Sequence, residues 1–328
     1  MLEGRPPKEC RRCLAEERAG FKSKRQRAEN LWKGTKAEDV HADVSDLIQM
    51  EVVLGNLCNL KCMMCHPRDS SAWNQDAETA GYEKSALEKL DPNALIPYCK
   101  SLRRVDLLGG ETFLIKELEG VLEILVRYGQ PEKMLLTFTT NATVFPSLKI
   151  RKLIEKFGRV ELSCSVDAVG RRNEYIRFPS KWIRMERNLS RFLEWKDQNQ
   201  QMGFQIESVV SAYSFPGLPE LLAWWRNFAA EHSVGAVAEN IWLNTLLTPD
   251  FQSVHVLPRK VRLRVVKALG CLETDMKRKM EEIGRFALAQ DAPQLLPKLR
   301  EWTEALDRAR GLNGREIVPE IFEAEDGL

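Results

Sequence analysis

The feature that most constrains this 328-residue chain is a repeated alternation of short β-rich runs with segments of helical spacing. "LIQMEVVL" (47–54), "RRVDLL" (103–108), "KMLLTFTT" (133–140), "RVELSCSV" (159–166), "FQIESVVS" (204–211) and "NIWLNTLL" (240–247) read as strands, because they concentrate apolar and β-branched residues. Helices are expected near 116–128, 147–157 and 185–198, and over "LPELLAWWRNFAAEH" (218–232). Such alternation implies parallel strands joined by crossovers. Six units are too few for a closed eight-stranded barrel. The expected fold is therefore α/β, a partial (β/α)6 barrel of parallel strands. A composition 44% hydrophobic and 29% charged allows a core of that size. From Pro258 onward the strands stop and amphipathic helices follow. The expected organisation is an N-terminal cysteine-containing extension (1–45), the barrel (46–257) and a C-terminal helical region (258–328).

Unusual residues gather where the strands end. "CNLKCMMC" (58–65) follows the first strand and holds Cys58, Cys62 and Cys65, three of the chain's eight cysteines. "GGET" (109–112) follows the second strand, "TTNAT" (139–143) ends the third and "SVDA" (165–168) ends the fourth. In parallel α/β folds these ends share one rim, and sites are built there. Thiolates are soft ligands suited to zinc or to iron–sulfur clusters. Structural zinc takes four ligands, and His66, adjacent to Cys65, cannot easily reach the same tetrahedral ion. A four-iron cube is ordinarily held by four cysteines, so three would leave one iron open. Zinc and a chance cluster are the alternatives.

The N-terminus lacks a secretory apolar region, and no run of about 18 or more apolar residues occurs. A cytoplasmic location without a membrane partner is expected. Thiols stay reduced there, and clustered cysteines bind metal more often than they pair. A net charge of +2 disfavours nucleic acid as the partner. The basic "FKSKRQR" (21–27) reads as a solvated face.

"CNLKCMMC" resembles the CxxxCxxC signature of radical S-adenosylmethionine (radical SAM) enzymes, which also follows the first strand of a partial barrel. The resemblance implies a [4Fe–4S] cluster on Cys58, Cys62 and Cys65. Its open iron would be chelated by the amino and carboxylate groups of S-adenosyl-L-methionine (SAM). Reductive cleavage of SAM would give a 5′-deoxyadenosyl radical that abstracts hydrogen from a substrate. "GGET" resembles the family's "GGEP", with Thr112 where proline is usual. Gly109 and Gly110 would let backbone approach the ligand, and Glu111 would accept from the SAM ammonium. Ser165 and Asp167 alternate onto one strand face and would meet the ribose. Asn141, in a "TNA" turn like the family's, would support the ligand shell. Met64 would pack near the adenine, and Arg177, in "NEYIRFPS", would take the SAM carboxylate. Ser211 and Asn244 are further strand-end candidates. Taken singly, each has a plainer reading: a glycine turn, a helix cap at Asp167, a turn former at Asn141, a surface ion pair at Arg177.

"CRRCLAEERAGFKSKR", with Cys10 and Cys13, resembles the "CxxCxxEExxGxxSxR" segment of twitch-type (half-SPASM) auxiliary-cluster proteins in the same superfamily. It implies a second iron–sulfur cluster. In such relatives the pair works with cysteines further upstream, whereas nine residues precede Cys10 here. The set is therefore incomplete, completed elsewhere, or cut by a late start of the chain. Cys99, Cys164 and Cys271 read as buried small hydrophobes, and His41, His232 and His255 as structural or solvated. No acid–base pair stands out. The resemblance covers roughly residues 8 to 250. It implies a radical SAM enzyme, with a peptide or protein as the favoured substrate and flavodoxin or ferredoxin as electron donor. The alternatives are a non-catalytic iron–sulfur or zinc-binding protein, and an RNA-modifying radical SAM enzyme.

Overall fold

The computed structural model describes residues 47–232, 240–272 and 276–323, the segment 23–31, and positions 10, 13, 14 and 17. Six strands form one sheet: β1 (Gln49–Val53), β2 (Arg104–Leu108), β3 (Leu135–Thr140), β4 (Arg159–Ser165), β5 (Met202–Val210) and β6 (Ile241–Thr245). They lie side by side in chain order, and every neighbouring pair is parallel. Among the described residues β1 and β6 have no further strand partner, so the sheet is open. Before it, α1 (Lys24–Leu31) carries positions 24–27 of the basic stretch, and its Lys24 pairs with Glu51 of β1.

Parallel neighbours require long crossovers. These are α2 (Glu117–Tyr128), α3 (Leu148–Ile154), α4 (Gly170–Ile176) with α5 (Trp182–Asp197), and α6 (Leu218–Glu231). Ser147 caps α3 by accepting from Ile150 N at 3.3 Å. Two features depart from the expected alternation. The β1–β2 crossover holds no α-helix. Short 3-10 turns at Ser71–Gln75 and Pro92–Tyr98 carry it, and Pro97 inside the second cannot donate to a longer helix. The second departure is α4, a seven-residue helix that precedes the expected one.

The sheet has two unlike faces. Along β5, buried and half-buried residues alternate without a break. Val105, Leu107, Leu136, Phe138, Val160, Leu162, Phe204 and Ile206 belong to one buried core with Leu122 of α2, Leu189 and Phe192 of α5, and Trp225 of α6. The intervening rows are polar. Asp106, Thr137 and Glu161 stand in register, as do Ser163 and Gln205, whose side chains bond at 2.7 Å. Parallel sheets covered by helices on both faces read as continuous apolar runs. The alternation here leaves a polar concave side instead.

The C-terminal helices are α7 (Arg259–Gly270), α8 (Lys277–Leu288), α9 (Leu296–Arg310) and α10 (Gly314–Ile317), and α9 packs on segments that follow the strand ends. Thr303 and Tyr213 hydroxyls meet at 2.6 Å, and Tyr175 donates to Asp307 at 2.7 Å. Trp302 stacks on Trp73, with centroids 6.0 Å apart. Arg172 reaches both carboxylate oxygens of Glu320, at 2.8 and 2.9 Å. Among the described residues no helix is long and apolar enough to cross a membrane. Cys99 and Cys164 are buried as expected, but Cys271 is exposed. It lies past the buried stripe Val261, Val265 and Leu269 of α7, at the cap. His255 is buried and held by Ser253 and the Phe286 carbonyl. His41 lies outside the described residues.

Asp106 is the clearest buried charge of the polar side. Burial alone would raise its carboxyl, but bonds from Arg104, Thr137 and Gln49 hold it below the ordinary carboxylate range. A depressed folded value gives stability that is present above the unfolded value of about 3.9 and is lost as pH falls through the folded one. Asp106→Asn is expected to cost roughly 1–3 kcal/mol at neutral pH. In urea unfolding, the gap to the unsubstituted chain should narrow below about pH 4. A gap independent of pH would remove the charge from the account.

Candidate functional site

Two loops meet where β1 and β2 end. Leu54 N donates to Leu108 O at 2.8 Å, one step beyond the paired strands. The chain from β2 then stays against the chain from β1: Gly110 N donates to Gly55 O at 3.0 Å and Glu111 N to Leu57 O at 2.8 Å. This closeness needs glycine. Gly109 has φ +155, and a Cβ there would come within 2.7 Å of Gly55 O. A Cβ on Gly110 would strike the carbonyls of Leu57 and Asn56, the latter at 2.7 Å. The backbone of 55–57 is thus seated on the Gly-Gly-Glu turn immediately before Cys58.

Glu111 is fully buried. Its carboxylate accepts from Thr140 Oγ1 at 2.7 Å, Asn141 N at 2.7 Å and Phe113 N at 3.2 Å. Burial pushes its carboxyl above the usual carboxylate range, against these donors and the Arg177 charge. Among the described residues it has no ion-pair partner. The β3 end therefore joins the β2 end through Glu111. It also reaches the cysteines, because Asn141 Nδ2 lies 3.7 Å from Cys58 Sγ and 3.0 Å from Asn59 Oδ1. The next residue, Ala142, is left-handed at φ 58. Thr140 Oγ1 accepts from its N–H, and Asn188 donates to its carbonyl at 2.8 Å. Such support is what a strained backbone position needs.

The other side of the cysteine loop is tied to the chain after α4. Lys61 N donates to Phe178 O at 2.5 Å and Met63 N to Ile176 O at 2.8 Å. Arg177 lies between those two acceptors. Its side chain is buried and its Nε stands 2.7 Å from Asp167 Oδ2. The other Asp167 oxygen accepts from Val209 N at 2.8 Å. Asp167 is fully buried, with both oxygens turned to protein groups. Its plainer reading as a cap gives way to a buried ion pair linking the β4 and β5 ends, and Arg177 is no surface residue.

Cys62 and Cys65 form a turn, with Cys65 N donating to Cys62 O at 3.1 Å, and their thiols share a hydrogen bond. That bond lowers Cys62, helped by the Arg177 and Arg310 charges, and raises Cys65 well above the usual range. Cys58 is pushed up to about 11, chiefly by burial and then by Cys62. Cys62 is within electrostatic reach of both Cys58 and Cys65, yet the three sulfurs do not already enclose a centre. Among the described residues no three His, Cys, Asp or Glu side chains stand in metal-binding geometry. The donor set is three soft thiols beside buried cations, which suits an anionic iron–sulfur group better than a hard cation.

Met64 and Ser165 are half-buried near this loop and at the end of β4. Ser211 is buried in a turn with Tyr213 and Ser214, so it faces away from open space. Asn244 bonds Glu207 at 2.5 Å and Trp242 at 2.8 Å on the polar side of the sheet. Cys10 and Cys13 are half-buried, while most of "CRRCLAEERAGFKSKR" lies outside the described residues. Three residues went unnoticed in the sequence. Asp76 bonds Lys61 Nζ at 2.9 Å and Arg310 Nε at 2.7 Å. Arg310 comes from α9, 234 positions from Asp76, and no local pattern marks such a pairing.

No protein-family model matches this chain, and no curated protein matches it. Several solved structures resemble it. Streptococcus suis SuiB bound to S-adenosylmethionine matches at 16% identity and TM-score 0.40, over 69% of this chain and 45% of that one. Native anSMEcpe with bound AdoMet matches at 14% and 0.49, over 75% and 64%. SuiB bound to the precursor peptide SuiA matches at 13% and 0.46, over 80% and 60%. The chain spans less than two thirds of each of these structures.

Gly110→Ala tests the loop contact. The added methyl must displace backbone, an overpacking cost of about 1–3 kcal/mol. We expect a lower thermal midpoint and faster alkylation of Cys58 in the metal-free chain. Unchanged values for both would show that the two loops are not tightly joined.

Proposed function

We propose that this chain is a radical SAM enzyme, with Cys58, Cys62 and Cys65 holding one [4Fe–4S] cluster and the adjoining strand ends holding SAM. The observation that carries the reading is the three-thiol loop seated by backbone bonds on Gly109, Gly110 and Glu111. A purely structural metal site has no need of a fully buried acid that lacks an ion-pair partner among the described residues. When bound, the cluster and SAM supply reductive cleavage to a 5′-deoxyadenosyl radical that abstracts hydrogen from the substrate.

The chain's residues bind, orient and exclude water. A carboxylate has about four acceptor sites, and Glu111 uses three of them on protein donors. A ligand ammonium would take the remaining one and offset the cost of a buried unpaired charge. Arg177 spends one edge on Asp167 and lies within electrostatic reach of Cys62, Cys65 and Glu111. The rest of its planar fork suits the SAM carboxylate. Asp167 then acts by orienting Arg177, which leaves half-buried Ser165 as the β4 group for the ribose. Asn141 holds the Cys58 and Asn59 side chains, and Met64 offers an adaptable apolar surface to the adenine. The polar concave side of the sheet would receive the substrate, for which we favour a peptide or protein.

We further assign residues 1–45 to an extension, 46–257 to the barrel and 258–328 to the helical region. We assign the chain to the cytoplasm, with a flavodoxin or ferredoxin as electron donor. Cys10 and Cys13 are kept as ligands of a second cluster.

Anaerobic reconstitution followed by reduction with SAM is expected to release methionine and 5′-deoxyadenosine, and Cys62→Ala is expected to release neither. About four irons per chain would fit one cube, and about eight would implicate Cys10 and Cys13. Zinc without iron, and no cleavage, would favour a structural site. Glu111→Gln is expected to weaken SAM binding about tenfold or more, because a charge-assisted bond is worth roughly 1.5–3 kcal/mol. Calorimetry on the reconstituted protein checks this, and wild-type affinity would separate Glu111 from the ligand.

A further inference from the structure

The cysteine loop rests on a charged group that the proposed chemistry does not use. Arg310, the last residue of α9, has a fully buried side chain. It lies over the Trp73 ring at 4.8 Å and the Phe178 ring at 5.5 Å. Its Nε bonds Asp76 at 2.7 Å. Its Nη1 meets only a thioether, Met63 Sδ at 3.3 Å, directly after Cys62. Its Nη2 is buried without a hydrogen-bond partner. Lys61, directly before Cys62, bonds the same Asp76. The group thus holds two cations against one anion, packed under the central thiol of the loop. The other buried pair at the loop, Arg177 with Asp167, is balanced.

A buried guanidinium with an unused donor is costly unless something nearby repays it. Nothing on α9 does. The Cys62 thiolate lies within its electrostatic reach, and a thiolate-bound cluster would add negative charge at that place. We propose that Arg310 is a positioning residue that raises the reduction potential of the thiol-bound cluster, making the C-terminal helix part of the site's electrostatics. The inference rests on the radical SAM reading. Adding an electron to a cluster increases its negative charge, so a fixed cation beside it favours the reduced form, and net charge is one of the terms that set cluster potentials. The residue would act on the cluster through space, from its contact with Met63 Sδ beside Cys62.

The test is a redox titration of the reconstituted protein followed by electron paramagnetic resonance, with iron counted in each sample. Arg310→Met is expected to keep its iron and to shift the midpoint to more negative potential. Arg310→Lys is expected to restore most of the shift, because it returns the charge. Asp76→Asn, which removes the anion, is expected to shift the midpoint the opposite way. Opposed shifts are the signature of charge, since loosened packing would move both variants in one direction. The proposal fails if Arg310→Met and Asp76→Asn shift together, or if both keep the wild-type midpoint while losing thermal stability. Should Arg310→Met not fold, Asp76→Asn and Arg310→Lys still decide by the sign of their shifts. A wild-type chain that takes up no iron would overturn the radical SAM reading itself, an outcome distinct from iron-loaded protein without opposed shifts.

Discussion

The structure depends on a backbone contact between two loops that only glycine permits. Gly110 and Glu111 donate to the carbonyls of Gly55 and Leu57, with no room for a Cβ at either glycine of the turn. That contact fixes the height of the cysteine loop above the sheet and brings Glu111 under Asn141. Each tie is an ordinary hydrogen bond worth about 1 kcal/mol net. Their effect comes from joining the ends of three strands whose relative positions the sheet already sets.

Around this joint the buried charges are arranged unevenly. Glu111 is an acid with no ion-pair partner among the described residues. Arg177 is a cation shared with Asp167, and Lys61 and Arg310 share Asp76. Buried charges that are not mutually neutralised are expensive to keep for stability alone. Their gathering at one rim is more economically explained by a charged ligand with separated ammonium, carboxylate and sulfur-bound parts. Fold does not imply function, and the argument for function rests on this rim rather than on the parallel sheet.

The strands were legible in the sequence because apolar and β-branched residues are concentrated in them. β5 carries nine residues of strict alternation, and all six runs became strands within a few residues of their expected limits. The rim was legible because its residues directly follow those strands. Two elements were missed: α4, which carries two arginines, an asparagine and a glutamate among its seven residues, and the first crossover, which is built from short 3-10 turns. Single-residue readings failed where tertiary pairing decides. Arg177 and Asp167 were each read alone, though they form one buried pair. Arg310 sits on a helix of polar appearance and is defined by partners 234 and 247 positions away. Cys271 looked like a core thiol by type, but its position past the apolar stripe of α7 leaves it exposed.

The central claim is that three thiols hold a cluster whose remaining iron is free to bind SAM beside the Gly-Gly-Glu turn. The most direct measurement is a Mössbauer spectrum of anaerobically reconstituted, iron-57-labelled protein, recorded with and without SAM. The account predicts that SAM alters the signal of a single distinguishable iron and leaves the others unchanged. A spectrum indifferent to SAM, or a cluster with no distinguishable iron, would contradict it.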